Sequence, residues 1–357
     1  MMYGKNNFEP DYKNILSAAS NKKSKRLPLY EHTISDGTME KITGKNFSGL
    51  LSGSKADKKE YFSNAWEFYR HMGYDCMSFE CCITSVLPHG GCLGSHRESV
   101  IHSYDDFLRY PWDEVSDIYF NAFADIFDAL RDTMPPGMKA VGGVGNGVFE
   151  CVQDLLGYMN MCFIKSDMPE LYEGIFKKTG EMILSIWQKF LPLYGDIYCV
   201  LRAGDDLGFK SSTLISAEDI KNLVVPAYKK IIESVHAQGK PFLLHSCGNI
   251  FDVMLDMINI ARIDAKHSNE DQIAPFTEWV KRYGNRIGNF GGMDTDAVCR
   301  LSYDDIRAYV KDVLDECMAL GGSGIAFSSG NSIPDYVPAD KYIEMVSAVR
   351  RYRGEQI

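Results

Sequence analysis

Strand-like and helix-like segments alternate along the whole chain. Short apolar runs predict buried strands, and longer segments with apolar residues at helical spacing predict helices. Between 58 and 72, for example, Tyr61, Ala65, Phe68 and Met72 fall on one helical face. The predicted strands are 27–33, 73–79, 138–143, 196–201, 240–245, 261–267, 286–292 and 324–329. The predicted helices are 11–21, 58–72, 119–133, 148–159, 169–191, 216–238, 251–257, 275–283, 302–319 and 338–350.

This alternation predicts an α/β fold with parallel strands. Eight strands favour a (β/α)8 TIM-type barrel, here as a single domain over residues 1–357 with an N-terminal helical extension over 1–26. Such barrels take about 250 residues, so the surplus fits the extension and extra helices between early strands. A doubly wound sheet is the alternative, but the glycine-rich segment 142–147 does not match the G-x-G-x-x-G pattern and comes too late in the chain.

Composition narrows the choice of partners. The net charge of −10 argues against nucleic acid or an anionic membrane as a partner. No apolar run is long enough to span a bilayer, and residues 1–7 lack the apolar region of a signal peptide. The ten cysteines are irregularly spaced, which predicts reduced thiols and a cytoplasmic location.

Polar residues collect where the predicted strands end. In a parallel barrel the functional side chains lie at the C-terminal ends of the strands, so we expect these residues to converge on one mouth. The residues at these ends are Glu31, His32, Glu80, Cys81, Cys82, Asp205, Asp206, His245, Cys247, His267, Asp294 and Asn331.

His245 ends a predicted strand and Cys247 lies in the loop that follows, and this arrangement suggests a metal site. Residues two apart on an extended segment project to the same side, and imidazole with thiolate suits zinc. A hydrogen-bonded core histidine beside a buried cysteine would produce the same pattern. Glu80 is the candidate third ligand, with Cys81 or Cys82 as alternatives that cannot both face inward.

The other strand ends supply candidate catalytic and binding groups. Asp206 and His267 are candidate catalytic residues, although an aspartate there also suits a helix-capping turn and a lone histidine is often structural. The candidate substrate contacts are Glu31, Asp205, Asp294 and Asn331.

Several segments, in order, resemble the uroporphyrinogen decarboxylase superfamily. They are GDDLGF at 204–209, LIS at 214–216, VPAYK at 225–229, GKP at 239–241 leading into HSCGN at 245–249, GGMD at 291–294 and SGNSIP at 329–334. The resemblance extends over nearly the whole chain and implies a distorted (β/α)8 barrel.

The superfamily contains two main chemistries. True uroporphyrinogen decarboxylases use no metal and bind substrate carboxylates with arginines near the N-terminus, whereas segment 29–37 here contains no arginine. The corrinoid- and thiol-dependent methyltransferases bind zinc through an H-x-C motif, which His245 and Cys247 match. A further cysteine is common after the eighth strand of those enzymes, and Asn331 stands there in this chain.

The resemblance therefore implies a zinc-dependent methyltransferase. It would move a methyl group between a small methylated compound and a corrinoid protein or thiol, with zinc held by His245, Cys247 and Glu80. The chain lacks the D-x-H-x-x-G pattern of corrinoid-binding domains, so a separate protein would present the corrinoid. The alternatives are a decarboxylase acting on a uroporphyrinogen-like substrate and a non-catalytic barrel that binds a ligand or a corrinoid protein. If the chain associates with itself, we expect a homodimer.

Overall fold

The computed structural model describes residues 8–95 and 97–356. Residues 1–7, on which the expectation of no signal peptide rests, lie outside the described residues, as does the start of the predicted extension.

Seven strands form one parallel sheet within the described part of the chain, and their order in the sheet follows the sequence. Strands β1 to β7 are Cys76–Cys82, Lys139–Gly145, Tyr198–Gly204, Phe242–His245, Ala265–His267, Gly288–Met293 and Ile325–Ser329. Every residue of β3, β4, β5, β6 and β7 is buried. Helices cover both faces of a parallel sheet, and this burial explains why most of these strands lack a regular alternation of apolar and polar residues.

Helices connect the strands and surround the sheet. Helices α1 to α16 are Lys13–Ala19, Asp36–Thr43, Lys55–Met72, Cys92–Ser95, Tyr104–Arg109, Val115–Thr133, Val148–Leu156, Tyr158–Asp167, Pro169–Tyr194, Ala217–Asp219, Val225–His236, Phe251–Asp256, Phe276–Tyr283, Thr295–Arg300, Tyr303–Ala319 and Ala339–Tyr352. Short 3-10 turns occupy Leu50–Ser52, Ile83–Ser85 and Gly195–Ile197, and π-helical segments occupy Ile220–Val224 and Met257–Ala261.

Side-chain caps set several helix starts. Ser54 Oγ accepts a hydrogen bond from Asp57 N, and the Asp57 carboxylate accepts one from Ser54 N, which makes a capping box at α3. Ser216 and Ser302 each accept from the backbone N–H three residues later, at the positions where the sequence predicts a helix to begin. These caps fix where α3, α10 and α15 begin.

The first predicted strand, 27–33, is not a strand of the sheet. Leu29 and Ile34 form isolated parallel bridges with Phe327 and Ile333, and the closed eight-stranded barrel is corrected to a curled seven-stranded sheet. One physical reason is that Pro28 has no N–H for a ladder. The other is that this segment meets β1 through a side chain, since Ser78 Oγ donates to His32 O at 2.7 Å.

The helical segments differ from prediction mainly at glycine and in the loops. The predicted helix 148–159 ends at Leu156, because Gly157 takes a positive φ of 66° that favours glycine, and α8 begins after it. Helices α2, α4, α5 and α14 were not predicted, and each is eight residues or shorter. Among the described residues, no helix is both long enough and apolar enough to cross a membrane.

Candidate metal centre

The C-terminal ends of the central strands converge, as the sequence predicts. His245 at the end of β4 pairs in register with Gly204 of β3 and with His267 of β5. Asp206 follows Gly204 by two residues, and Cys247 follows His245 by two. The register therefore places an imidazole pair, a thiol and a carboxylate at adjacent strand ends.

Glycine contacts hold the two loops that carry Asp206 and Cys247. Gly248 has a φ of 83°, and a Cβ there would lie 2.1 Å from the carbonyl carbon of Gly208. Only glycine allows this approach of two backbones. Cys247 N also donates to Asp206 Oδ1 at 2.8 Å, so the two loops are fixed to each other beside His245.

A hydrogen-bond relay runs from His245 into the sheet. His245 Nδ1 lies 2.7 Å from His267 Nδ1, and His267 Nε2 lies 3.1 Å from Ser328 Oγ and 3.3 Å from Ser329 O. Ser328 Oγ donates its own proton to Ser329 O at 2.7 Å. Because a carbonyl oxygen only accepts and the serine proton is already used, His267 Nε2 must be the donor.

The relay determines the tautomer of His245. Burial lowers the pKa of both histidines well below the ordinary value, so each is neutral and carries one N–H. His267 is protonated at Nε2, hence its Nδ1 accepts and His245 Nδ1 donates. His245 Nε2 is left with a lone pair, which is the state a metal ligand requires.

That lone pair faces two further metal donors. Cys247 Sγ lies 3.4 Å from His245 Nε2, and Asp206 Oδ1 lies 3.6 Å from the same nitrogen. Ligands about 2.0–2.3 Å from a tetrahedral zinc stand about 3.3–3.8 Å apart. Both distances fit edges of a zinc tetrahedron, all three donor atoms lie within 4.8 Å of one another, and the donor set fits the ion in kind.

The thiol is held in its neutral form by its surroundings. Burial, with the Asp206 carboxylate beside it, raises the pKa of Cys247 well above the ordinary value. A bound cation would reverse this effect, because it stabilises the thiolate and removes the repulsion from the carboxylate. The electrostatics of the site thus favour a cation between these groups.

His32 forms a second histidine cluster with His245 and His267, with one donor atom of each within 4.8 Å of the others. Its ring stacks on His245 with centroids 3.7 Å apart. However, both nitrogens of His267 are occupied by the relay. Ligation by all three histidines would break that relay, so Asp206, His245 and Cys247 are the better set.

Glu80, the third ligand predicted from the sequence, lies in a different contact. Its Oε2 pairs with Arg202 Nη2 at 2.8 Å and with Arg202 Nε at 3.0 Å. Neither group of close metal donors found among the described residues includes Glu80. The structure instead brings Asp206 next to His245 and Cys247.

Arg202 is a site residue that the sequence reasoning missed. Its guanidinium is buried and also donates to Tyr30 Oη at 2.7 Å and to His32 O at 3.1 Å. The available signal was a charged residue inside the otherwise apolar run of β3. Glu150 was missed as well, although its Oε1 accepts from Asp206 N at 3.2 Å.

Glu31 and Asp205 are buried and engaged in packing contacts. Glu31 accepts from Ser329 N at 3.0 Å and from Ser329 Oγ at 2.5 Å, and burial raises its pKa to about 8. Asp205 accepts from two backbone N–H groups at the start of α7, at 2.9 and 3.2 Å. Their predicted role as substrate contacts stays a prediction.

Asp294 and Asn331 lie beside Cys247 at a cavity of about 310 Å³. Asp294 caps α14 through Ala297 N at 3.1 Å. Asn331 Nδ2 donates to Cys247 Sγ at 3.3 Å, so the residue that stands in place of the usual cysteine does reach the sulfur. Both predicted substrate contacts thus lie where a molecule approaching Cys247 would pass.

Comparisons with known proteins concern both the family and the fold. The family model described as uroporphyrinogen decarboxylase (URO-D) matches residues 12–352. No curated protein matches the chain.

Solved structures give a similar picture. A methyltransferase from Methanosarcina mazei superposes with a TM-score of 0.71 at 16% identity, over 96% of this chain and 99% of that protein. A glycoside hydrolase family 5 enzyme from Prevotella bryantii gives 0.46 at 12% identity, over 95% and 98%. At these identities the likeness to the first structure concerns the fold alone.

Proposed function

The chain belongs to the uroporphyrinogen decarboxylase family, and on that premise we propose that it is a zinc-dependent methyltransferase. It would move a methyl group between a small methylated compound and a corrinoid protein or a thiol. The observation that carries the proposal is the lone pair of His245 Nε2, which faces Cys247 Sγ at 3.4 Å and Asp206 Oδ1 at 3.6 Å. The methyltransferase fold of the Methanosarcina mazei protein is in keeping with it.

In this proposal His245, Cys247 and Asp206 hold the ion. When bound, zinc supplies Lewis acidity that polarises the atom carrying the methyl group or activates a thiol. Three protein ligands leave a fourth position open, as a catalytic zinc requires. Cys247 forms part of the wall of the 310 Å³ cavity, so a small molecule can reach the site from there.

The remaining residues act through these three. His267 keeps the proton on His245 Nδ1 and so keeps Nε2 available, which makes it a positioning residue. Asn331 donates to Cys247 Sγ, which moderates the charge of a thiolate. Glu80 is assigned to Arg202 instead of the metal, and Asp206 takes the place that the sequence gave to Glu80.

A corrinoid would be presented from outside the barrel. The cavity beside Cys247 is about 310 Å³, at the lower end of pockets that enclose a drug-sized ligand. A macrocycle of corrinoid size needs more room than that. A separate corrinoid protein docking at the strand ends would supply the cofactor without a larger cavity.

Metal analysis of the purified protein tests the proposal. We expect about one zinc per chain, with strong loss in Cys247→Ser and Asp206→Asn. Cys299→Ser is the matched control, because Cys299 is also half-buried and lies outside the site. Wild-type protein without zinc after purification in zinc-supplemented medium, or Cys247→Ser with undiminished zinc, would contradict the proposal.

The decarboxylase alternative gains no support from the two cavities at the strand ends. Arg202 is the one arginine that lines either of them within the described residues, and its charge is paired with Glu80. A polycarboxylate substrate needs several free cations. Formation of coproporphyrinogen from uroporphyrinogen would restore that alternative.

A further inference from the structure

A second cavity borders the histidine cluster at His32. It measures about 330 Å³, and its walls are largely apolar and aromatic, formed by Met39, Tyr61, Tyr69, Met77 and Phe79. Its polar end contains His32, Glu80 and Arg202, and the carboxylate of Asp36, which accepts from Tyr61 Oη at 3.0 Å, also lines the cavity. None of the sequence-predicted roles accounts for this cavity.

His32 is the first unusual group in the polar end. Its Nδ1 is buried without a hydrogen-bond partner in the described part of the chain. Its Nε2 lies 4.0 Å from Glu80 Oε1, which is beyond hydrogen-bond distance. A buried polar ring without partners is costly, so the protein keeps this imidazole at a price in stability.

Glu80 offers the complementary atom. Its Oε2 accepts a hydrogen bond from Arg202 Nε at 3.0 Å and lies 2.8 Å from Arg202 Nη2, so the charges of Glu80 and Arg202 balance each other. Its Oε1 accepts no hydrogen bond from the described residues and lies toward His32.

The two atoms are spaced to share one oxygen. An oxygen about 2.8 Å from both Glu80 Oε1 and His32 Nε2 would see them at an angle of about 90°, within the range of a hydroxyl that both donates and accepts. Three aromatic rings, those of Tyr61, Tyr69 and Phe79, belong to the walls of the cavity. Aromatic walls of this kind favour a flat ring as the body of the ligand.

We propose that this cavity binds a neutral aromatic compound through a hydroxyl group that donates to Glu80 Oε1 and accepts from His32 Nε2. His32 stacks on His245 at 3.7 Å, so the bound ring lies next to a proposed metal ligand. Binding itself does not depend on zinc. That the bound compound is the methyl donor or its demethylated product rests on the proposed function.

The variant His32→Phe tests the proposal directly. Phenylalanine keeps the stacked ring and removes both nitrogens, and no hydrogen bond to a described residue is lost with them. Ligand-observed NMR titration with phenol, toluene, benzoate and benzylamine measures selectivity. We expect wild-type protein to bind phenol about tenfold more tightly than toluene, and more tightly than either charged probe.

In His32→Phe the preference for phenol over toluene should disappear, while zinc content and Tm stay at or above the wild-type values. The control is His236→Phe, which removes a hydrogen bond of 2.7 Å to Asp264 far from the cavity. That variant should lower Tm and keep the preference for phenol.

Several results would overturn the inference. They are equal binding of phenol and toluene by the wild type, a preference for benzoate or benzylamine, no saturable binding of any probe, and loss of zinc in His32→Phe. Phenol selectivity in a protein without zinc would contradict the proposed function alone. Zinc without phenol selectivity would overturn this inference alone.

Discussion

Replacing His267 with phenylalanine should weaken zinc binding without touching a proposed ligand. The substitution keeps an aromatic ring in the buried site beside Tyr30, where the ring centroids are 5.0 Å apart. It removes the acceptor that lies 2.7 Å from His245 Nδ1. The zinc-binding tautomer of His245 would then carry a buried N–H without a partner.

The size of the expected loss in zinc affinity follows from this buried N–H of His245 without a partner. An unsatisfied buried donor costs about 1–3 kcal/mol, which corresponds to about 5–150-fold in affinity. The zinc-free protein avoids the cost, because His245 can move its proton to Nε2 and point it at Asp206. The full penalty therefore falls on the zinc-bound state, in agreement with the 10–100-fold loss usual for such outer partners.

Competition with a chromophoric chelator measures the zinc affinity of each variant. His236→Phe is the matched control, because it also removes an imidazole hydrogen bond of 2.7 Å but far from the site, and we expect its zinc affinity to match the wild type. Folded His267→Phe protein with wild-type zinc affinity would refute the tautomer argument and with it the relay as a positioning device.

Three further outcomes follow from the same contacts. Burial raises the pKa of Glu31 from 4.5 to about 8, so folding favours its protonated form, and the free energy of unfolding should fall by about 5 kcal/mol at most as the pH rises between those values. Glu31→Gln should flatten this pH dependence in urea unfolding, and an unchanged slope would contradict the assignment. Asn331→Asp puts a carboxylate oxygen at about the distance from Cys247 Sγ that separates two ligands of one zinc ion. Zinc affinity should therefore rise about tenfold or more while methyl transfer falls, and weaker zinc binding would exclude position 331 from the site. Glu80→Gln leaves the buried Arg202 without its counter-charge and should cost about 3 kcal/mol of unfolding free energy, whereas a loss below about 1 kcal/mol would show that the pair is not structural.

The fold was largely predictable because its signals are local. Seven of the eight predicted strands form the sheet, since buried parallel strands are short apolar runs between helices. The segment 27–33 was predicted as a strand in the same way, and apart from Pro28, which lacks an N–H, its own residues do not distinguish it from one. Whether this segment joins the sheet depends on its contacts with β1 and β7, which are distant in sequence.

The candidate site was predictable in position and only partly in detail. His245 and Cys247 could be singled out because both candidate ligands lie at the end of one strand. Their third partner was assigned to Glu80 from the sequence, whereas the geometry favours Asp206, because ligand geometry depends on how neighbouring loops meet. The close contact of Gly208 with Gly248 determines how the two loops meet, and neither glycine indicates this contact from the sequence alone.

The unclosed edge of the sheet and the polar end of the second cavity have one structural origin. Glu31 is bound to Ser329 at the β7 edge, while the carbonyl of the next residue, His32, accepts from Ser78 at the β1 edge. Side chains thus span the gap that a ladder would have closed. The His32 carbonyl accepts from Ser78 Oγ and from Arg202 Nη1, so side chains rather than a ladder N–H occupy both of its lone pairs. The irregular segment is therefore what allows Arg202 to hold Glu80 and His32 to lie over His245.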